Sequence, residues 1–163
     1  MKKTKFSILA IITLALIACS SEPKERKLTS PGFGVTATSI RVADEGIDIP
    51  VLLISDEVIK GMQFTLSWNP NVGQVIKPAL TESNQGFTIS SSEGERGEMK
   101  VLIFSMTGDV LNTAEPVVMN IPIRIIDPEA EAFELFFYDA IFAGPKAVSY
   151  EIPVTHAKLK ITR

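Results

Sequence analysis

Met62-Gln63-Phe64-Thr65-Leu66-Ser67-Trp68 alternates without a break: Met62, Phe64, Leu66 and Trp68 leave one side of an extended chain, and Gln63, Thr65 and Ser67 leave the other. Successive side chains of a strand point to opposite faces, so this stretch predicts a strand with one apolar face buried and Gln63, Thr65 and Ser67 turned outward. The same period recurs on either side of it. In Ile47-Asp48-Ile49-Pro50-Val51-Leu52-Leu53-Ile54, the residues Ile47, Ile49, Val51 and Leu53 share a face; over 117–127, Val117, Met119, Ile121, Ile123 and Ile125 alternate with Val118, Asn120, Pro122 and Arg124. Pro50 and Pro122 lack an N–H for a ladder, which places each at an edge, a bulge or a strand end. Further strands are expected over 34–42, 74–80, 86–91, 98–106, 133–143, 148–152 and 154–162, separated by turn clusters such as Asn69-Pro70-Asn71 and Thr107-Gly108-Asp109. No window from Phe33 onward keeps a 3.6-residue period. Short strands at this spacing predict an all-β domain of two packed antiparallel sheets.

Composition narrows what such a domain can do. The 163 residues are 45% hydrophobic and 21% charged, the profile of one globular domain. Cysteine and histidine occur once each, which removes disulfide frameworks, Cys-rich zinc sites and most His-based triads. The formal charge is −3; without Lys2, Lys3 and Lys5, which lie in a segment expected to be cleaved, it is −6. A domain this acidic repels a phosphate backbone, and nucleic acid is excluded as a partner.

The first residues form an address. A basic start, Met1-Lys2-Lys3-Thr4-Lys5, precedes an apolar run over 6–18 that is shorter than the about 20 residues a spanning helix needs, and within the about 7–15 of a signal peptide. Leu16-Ile17-Ala18-Cys19 resembles the lipobox of bacterial lipoproteins, in which the chain is cut before the Cys and lipid is attached to its sulfur. That resemblance implies a signal peptide over 1–18, a covalent lipid on Cys19 as the only added group, and an extracytoplasmic chain held to the bilayer by its acylated Cys19. Ser20, which is not Asp, implies the outer membrane if the host is Gram-negative. Residues 19–32 are polar and broken by prolines, and are expected to tether a folded domain spanning 33–163.

The stretch Gly61-Met62-Gln63-Phe64-Thr65-Leu66-Ser67-Trp68-Asn69-Pro70-Asn71-Val72 resembles the third strand of a cohesin domain, F-x-L-x-Y-D-P-x-V. The strand at 47–54, a late aliphatic strand after a Gly-Asp turn, and Glu151-Ile152-Pro153-Val154-Thr155 running on to Ile161 follow the same family's order, so the resemblance covers about 40–160. It implies a jelly-roll sandwich of about nine strands and a non-catalytic role: cohesins bind dockerin modules, which fold around Ca²⁺, and so assemble polysaccharide-degrading enzymes. The sequence departs from the pattern at Asn69, where Asp is frequent, at Gly73, where Leu is frequent, and at Gln63, where known members carry a polar or acidic contact.

Candidate contact residues follow from the strands. Gln63, Thr65, Ser67 and Asn69 form a row of short polar groups that needs an apolar anchor nearby to bind tightly. Met99-Lys100-Val101-Leu102-Ile103-Phe104-Ser105-Met106 is apolar on both faces; Val101 and Ile103 are therefore either part of a recognition patch or covered by a neighbouring element. Phe133, Leu135 and Phe137 oppose Phe136 and Tyr138, which reads as core packing. The alternative is a carbohydrate-binding or a purely structural envelope lipoprotein, with a polysaccharide as partner in the first case; sugar-binding faces, however, present exposed aromatic rings, and Trp68 is expected to point inward. Glu93, Glu95 and Glu98 read as a solvated turn rather than a catalytic carboxylate pair. Asp44, Glu45 and Asp48 lack the spacing of a Ca²⁺ loop, and no metal site is expected. His156 is expected on the outward face of the last strand.

Overall fold

The structure, a computed structural model, describes residues 31–42 and 46–163. The signal segment, Cys19, most of the expected tether, Asp44 and Glu45 lie outside the described residues. Thirteen strands follow in chain order: β1 (Gly32–Val35), β2 (Ser39–Arg41), β3 (Ile47–Ile54), β4 (Gly61–Trp68), β5 (Gly73–Val75), β6 (Ala79–Leu80), β7 (Thr88–Glu93), β8 (Glu98–Phe104), β9 (Val117–Ile125), β10 (Ala132–Ala143), β11 (Ser149–Tyr150), β12 (Val154–Thr155) and β13 (Ala157–Thr162). They form two sheets. The smaller runs β12-β1-β3-β9-β5, with β6 also on β9; the larger runs β2-β13-β10-β4-β8-β7, with β11 on β10.

Three of the expected strands are broken in two: 34–42 into β1 and β2, 74–80 into β5 and β6, and 154–162 into β12 and β13. Rejoining them leaves the nine main strands of the sandwich, with β11 as a short addition. Two of the breaks serve a purpose. β1 and β12 belong to the smaller sheet and β2 and β13 to the larger, so the first and last strands cross between layers together. They run parallel in both, Phe33 beside Val154 and Ile40 beside Ile161, which corrects the expectation of purely antiparallel sheets. Where they cross, Gly34 takes φ +143°, and a side chain there would collide with the Thr155 carbonyl oxygen, so only glycine lets the two backbones meet.

Both prolines sit where a neighbouring strand stops. Pro50 lies just past the last β1 partner, Val35 beside Val51, and Pro122 faces the gap between β5 and β6. Val118 departs from the simple alternation. Val51 pairs with Met119 and Leu52 with Val117, which leaves Val118 as the extra residue of a bulge, fully buried beside Met119 instead of outward. Thr81 packs over this point, its N–H and hydroxyl both donating to the Val118 carbonyl at 3.2 and 3.3 Å.

The inward positions of both sheets meet in a single core. Ile49, Val51 and Leu53 of β3 and Ile121 and Ile123 of β9 face Met62, Phe64 and Leu66 of β4, Leu135 and Phe137 of β10, and Leu159 of β13, all nearly inaccessible to water. Phe33 is the hub of an aromatic cluster, with ring centroids 5.1 Å from Phe64, 5.4 Å from Phe137 and 5.4 Å from Phe142. Each such side chain contributes about 1.5–3 kcal/mol on burial.

Candidate functional site

The larger sheet has a flat outer face built by four adjacent strands, β7, β8, β4 and β10. The pairing fixes rows across it: Ser90, Leu102, Gln63 and Ile141 in one, Ser92, Lys100, Thr65 and Tyr138 in the next, and Glu98, Ser67 and Phe136 in a third. Leu102, Ile141 and Phe136 are 42%, 45% and 43% exposed, so the face carries three apolar side chains spread among short polar ones. That is the composition of a protein-contact surface, apolar anchors set among hydrogen-bonding groups.

β10 could not present Ile141 without an irregularity. Tyr138 pairs with Thr65 and Ile141 with Gln63, so Asp139 and Ala140 oppose the single residue Phe64. This bulge restores the parity: Tyr138 and Ile141, three residues apart, both face outward, while Phe137 and Phe142 both enter the core. Asp139 takes the left-handed φ of +51° that the bulge requires, a conformation Asp tolerates better than most residues. The Tyr138 hydroxyl donates to Glu98 Oε1 at 2.6 Å. That bond to a carboxylate, reinforced by burial and by the negative charge of Glu98, pushes the Tyr138 phenol up to about 12.

The candidate contact residues separate in the structure. Gln63 is exposed at the centre of the face and Ser67 is half-buried on it. Thr65 points outward but is buried, because Tyr138 and Lys100 flank it on the neighbouring strands and fold it into the floor of a shallow groove. Val101 and Ile103 are corrected: both are nearly inaccessible and face the core. The apolar anchors are instead their neighbour Leu102 together with Ile141 and Phe136. Phe136 also corrects the reading of its segment as core packing, since it lies on the surface with its ring 5.5 Å from that of His156. His156 is exposed as expected, and its Nδ1 accepts the Phe137 N–H at 3.1 Å, in place of a strand carbonyl, at the break between β12 and β13.

Asn69 lies past the end of β4, where its side-chain oxygen accepts the Asn71 N–H at 3.0 Å and its carbonyl accepts from Val72 and Gly73. Its role is to shape the turn, which an Asp carboxylate would fill in the same way. Gly73 is required by packing: a Cβ there would come within 2.7 Å of the Phe133 ring. Among the described residues no group of His, Cys, Asp and Glu is placed to hold a metal ion.

No family model matches the chain, and no curated protein matches it. Solved structures do match, over nearly all of the described residues. The fold is that of a cohesin module. The sixth cohesin of scaffoldin B from Acetivibrio cellulolyticus, solved with a Cel5 dockerin, superposes with a TM-score of 0.64 at 18% identity, over 80% of this chain and 99% of that one. The cohesin module of a Clostridium perfringens family 33 glycoside hydrolase gives 0.65 at 13%, over 80% and 93%. A non-cellulosomal cohesin from the archaeon Archaeoglobus fulgidus gives 0.62 at 14%, over 81% and 89%. At these identities what is shared is the cohesin fold. On this fold the β7-β8-β4-β10 face carries three apolar side chains around Gln63.

Proposed function

We propose that this protein is a non-catalytic binding module that docks a dockerin-like protein partner through the outer face of β7, β8, β4 and β10. The observation that carries the reading is the exposure of Leu102, Ile141 and Phe136 on a flat sheet face around Gln63, Ser67 and Ser90. Apolar side chains on a hydrated sheet surface cost solubility, and their clustering among hydrogen-bonding groups is accounted for by a partner that covers them. Dockerin complexes of solved structures with this fold, such as that of the Acetivibrio cellulolyticus cohesin, support the choice of partner.

The second part of the reading concerns place. Residues 1–18 direct export, Cys19 carries the lipid, and the following residues tether the module to an extracytoplasmic membrane surface, the outer membrane in a Gram-negative host. Two or more acyl chains hold a protein stably, since each buried CH₂ contributes about 0.8 kcal/mol. Cys19→Ser is therefore expected to move the protein from the detergent phase to the aqueous phase with its thermal unfolding unchanged; recovery in the detergent phase would contradict the anchor.

Docking is tested by capture from the host's secreted proteins, with the retained species identified by mass spectrometry. The expected result is a protein with a duplicated Ca²⁺ loop that is released by a chelator, because a module folded around Ca²⁺ loses its binding surface with the ion. Retention of no such protein, or retention indifferent to chelation, would contradict the reading.

A further inference from the structure

The sandwich is open at one end, between the turn that follows β4 and the hairpin that joins β7 to β8. There the inward-facing positions leave the core and reach water: Trp68 at the end of β4 is half-buried, and Glu93 at the end of β7 is exposed, although its parity is that of the core side. Together with Pro70, Gln74, Glu95 and Arg96 they line a cleft of about 290 Å³. This is near the lower end of the about 300–1,000 Å³ range of small-molecule sites. It lies at the strand ends and borders the docking face at Glu98, which lines both.

Trp68, the only tryptophan of the chain, packs against the core and is half-buried. Its indole N–H has no acceptor among the described residues and is not sealed from solvent, although its backbone N–H is held by the Gly97 carbonyl at 2.9 Å. Polar groups stand beside it: Gln74 supplies donors and an acceptor, Glu93 and Glu95 supply acceptors, and Arg96, braced by the Asn71 side-chain oxygen at 3.3 Å, supplies donors. The signs are mixed. The Glu98 carboxylate, which accepts from the Tyr138 hydroxyl, also lines the cleft, so a cation entering it meets Arg96 and an anion meets three carboxylates. A neutral ligand with an apolar face and many hydroxyls satisfies every group at once, because each hydroxyl both donates and accepts.

We propose that the Trp68 cleft binds a short neutral saccharide, with a sugar ring against Trp68 and Pro70 and its hydroxyls held by Gln74, Glu93 and Glu95. Trp68 keeps the inward parity expected of it and packs against the core, and its half-buried ring also lines the cleft, which meets the docking face at Glu98.

The full chain, purified in a detergent without a sugar headgroup, carries its own probe in Trp68. Titration with cellobiose, xylobiose, mannobiose and chitobiose is expected to give a saturable change in its emission with at least one of them, and a rise in thermal midpoint with the same sugar. Gln74→Ala and Glu93→Ala, both at exposed positions, should each weaken that binding about tenfold, the loss of one hydrogen bond to a charged or polar group, with unfolding of the free protein unchanged. Retention on the corresponding insoluble polysaccharide would assign the site to chain interiors, and binding of the soluble sugar alone to free oligosaccharides or chain ends. The proposal is overturned if no neutral saccharide changes either readout, if both variants bind like the native protein, or if choline or glucuronate binds in preference.

Discussion

In the proposed docking mode Ile141 and Leu102 are the anchors beside Gln63. Each is nearly half exposed and they flank Gln63 in one row, so Ile141→Arg places a charge at the centre of the buried interface without entering the core. The substitution is expected to weaken partner binding by at least about a hundredfold, as for a central anchor, with a shift in thermal midpoint too small to matter. Calorimetric titration of the two proteins checks it. Gly34 tests the crossing of the layers. Gly34→Ala forces a side chain against the Thr155 backbone at a φ that disfavours it, and should cost about 3 kcal/mol or more in urea unfolding. Tyr138 gives a pH signature. Its phenol is raised in the folded protein by Glu98, so the bond stabilises the fold fully below about pH 10, and that contribution is lost as the pH rises through about 12. An absorbance titration should show one tyrosine ionising near pH 12, and Glu98→Ala should bring it down toward its ordinary value. Of these residues, only the outward direction of Gln63 was legible in the alternation. Which neighbours stand clear of it depends on cross-strand partners, and Thr65 is buried by Tyr138 and Lys100, which come from other strands.

At the scale of elements, uninterrupted alternation was read correctly and irregularity was missed. β3 was expected over 47–54 and β4 over 62–68, and both form there with the inward sets foreseen, because one hydrophobic face fixes the register of a strand. β8 shows the opposite case. Apolar on both sides, its sequence does not say which face meets the second sheet, and Val101 and Ile103 proved to be the inward ones. Bulges are harder still, since one extra residue reverses every later side chain. The pair at Asp139 and Ala140 in β10 returns Phe142 to the core and Ile141 to the surface. Deleting Asp139 removes the extra residue and should straighten β10 into a regular strand with Ile141 still opposite Gln63 and Phe142 still in the core, so a cooperative urea transition should survive; its loss would contradict the register. The broken strands β1/β2 and β12/β13 were read as continuous because nothing in their composition marks a change of sheet; the sign lies in Gly34 and in the parallel pairing on both sides of it.

For the whole molecule, the two-layer fold follows from the repetition of short alternating strands, and the exclusion of most catalytic schemes follows from a single cysteine and a single histidine. The open end at Trp68 was not legible, because parity places Trp68 inside and only the three-dimensional ends of the layers show that the inside stops there. The two surfaces are proposed for different tasks, a sheet face for a protein partner and an end cleft for a sugar, and the lipid on Cys19 is proposed to hold the module at a membrane. The central claim is the sheet face. The most direct test is hydrogen exchange of the chain with and without the captured Ca²⁺-dependent partner. The account predicts added protection over β4, β8 and β10, lost in the Ile141→Arg variant; protection confined to the smaller sheet, β12-β1-β3-β9-β5, would contradict it.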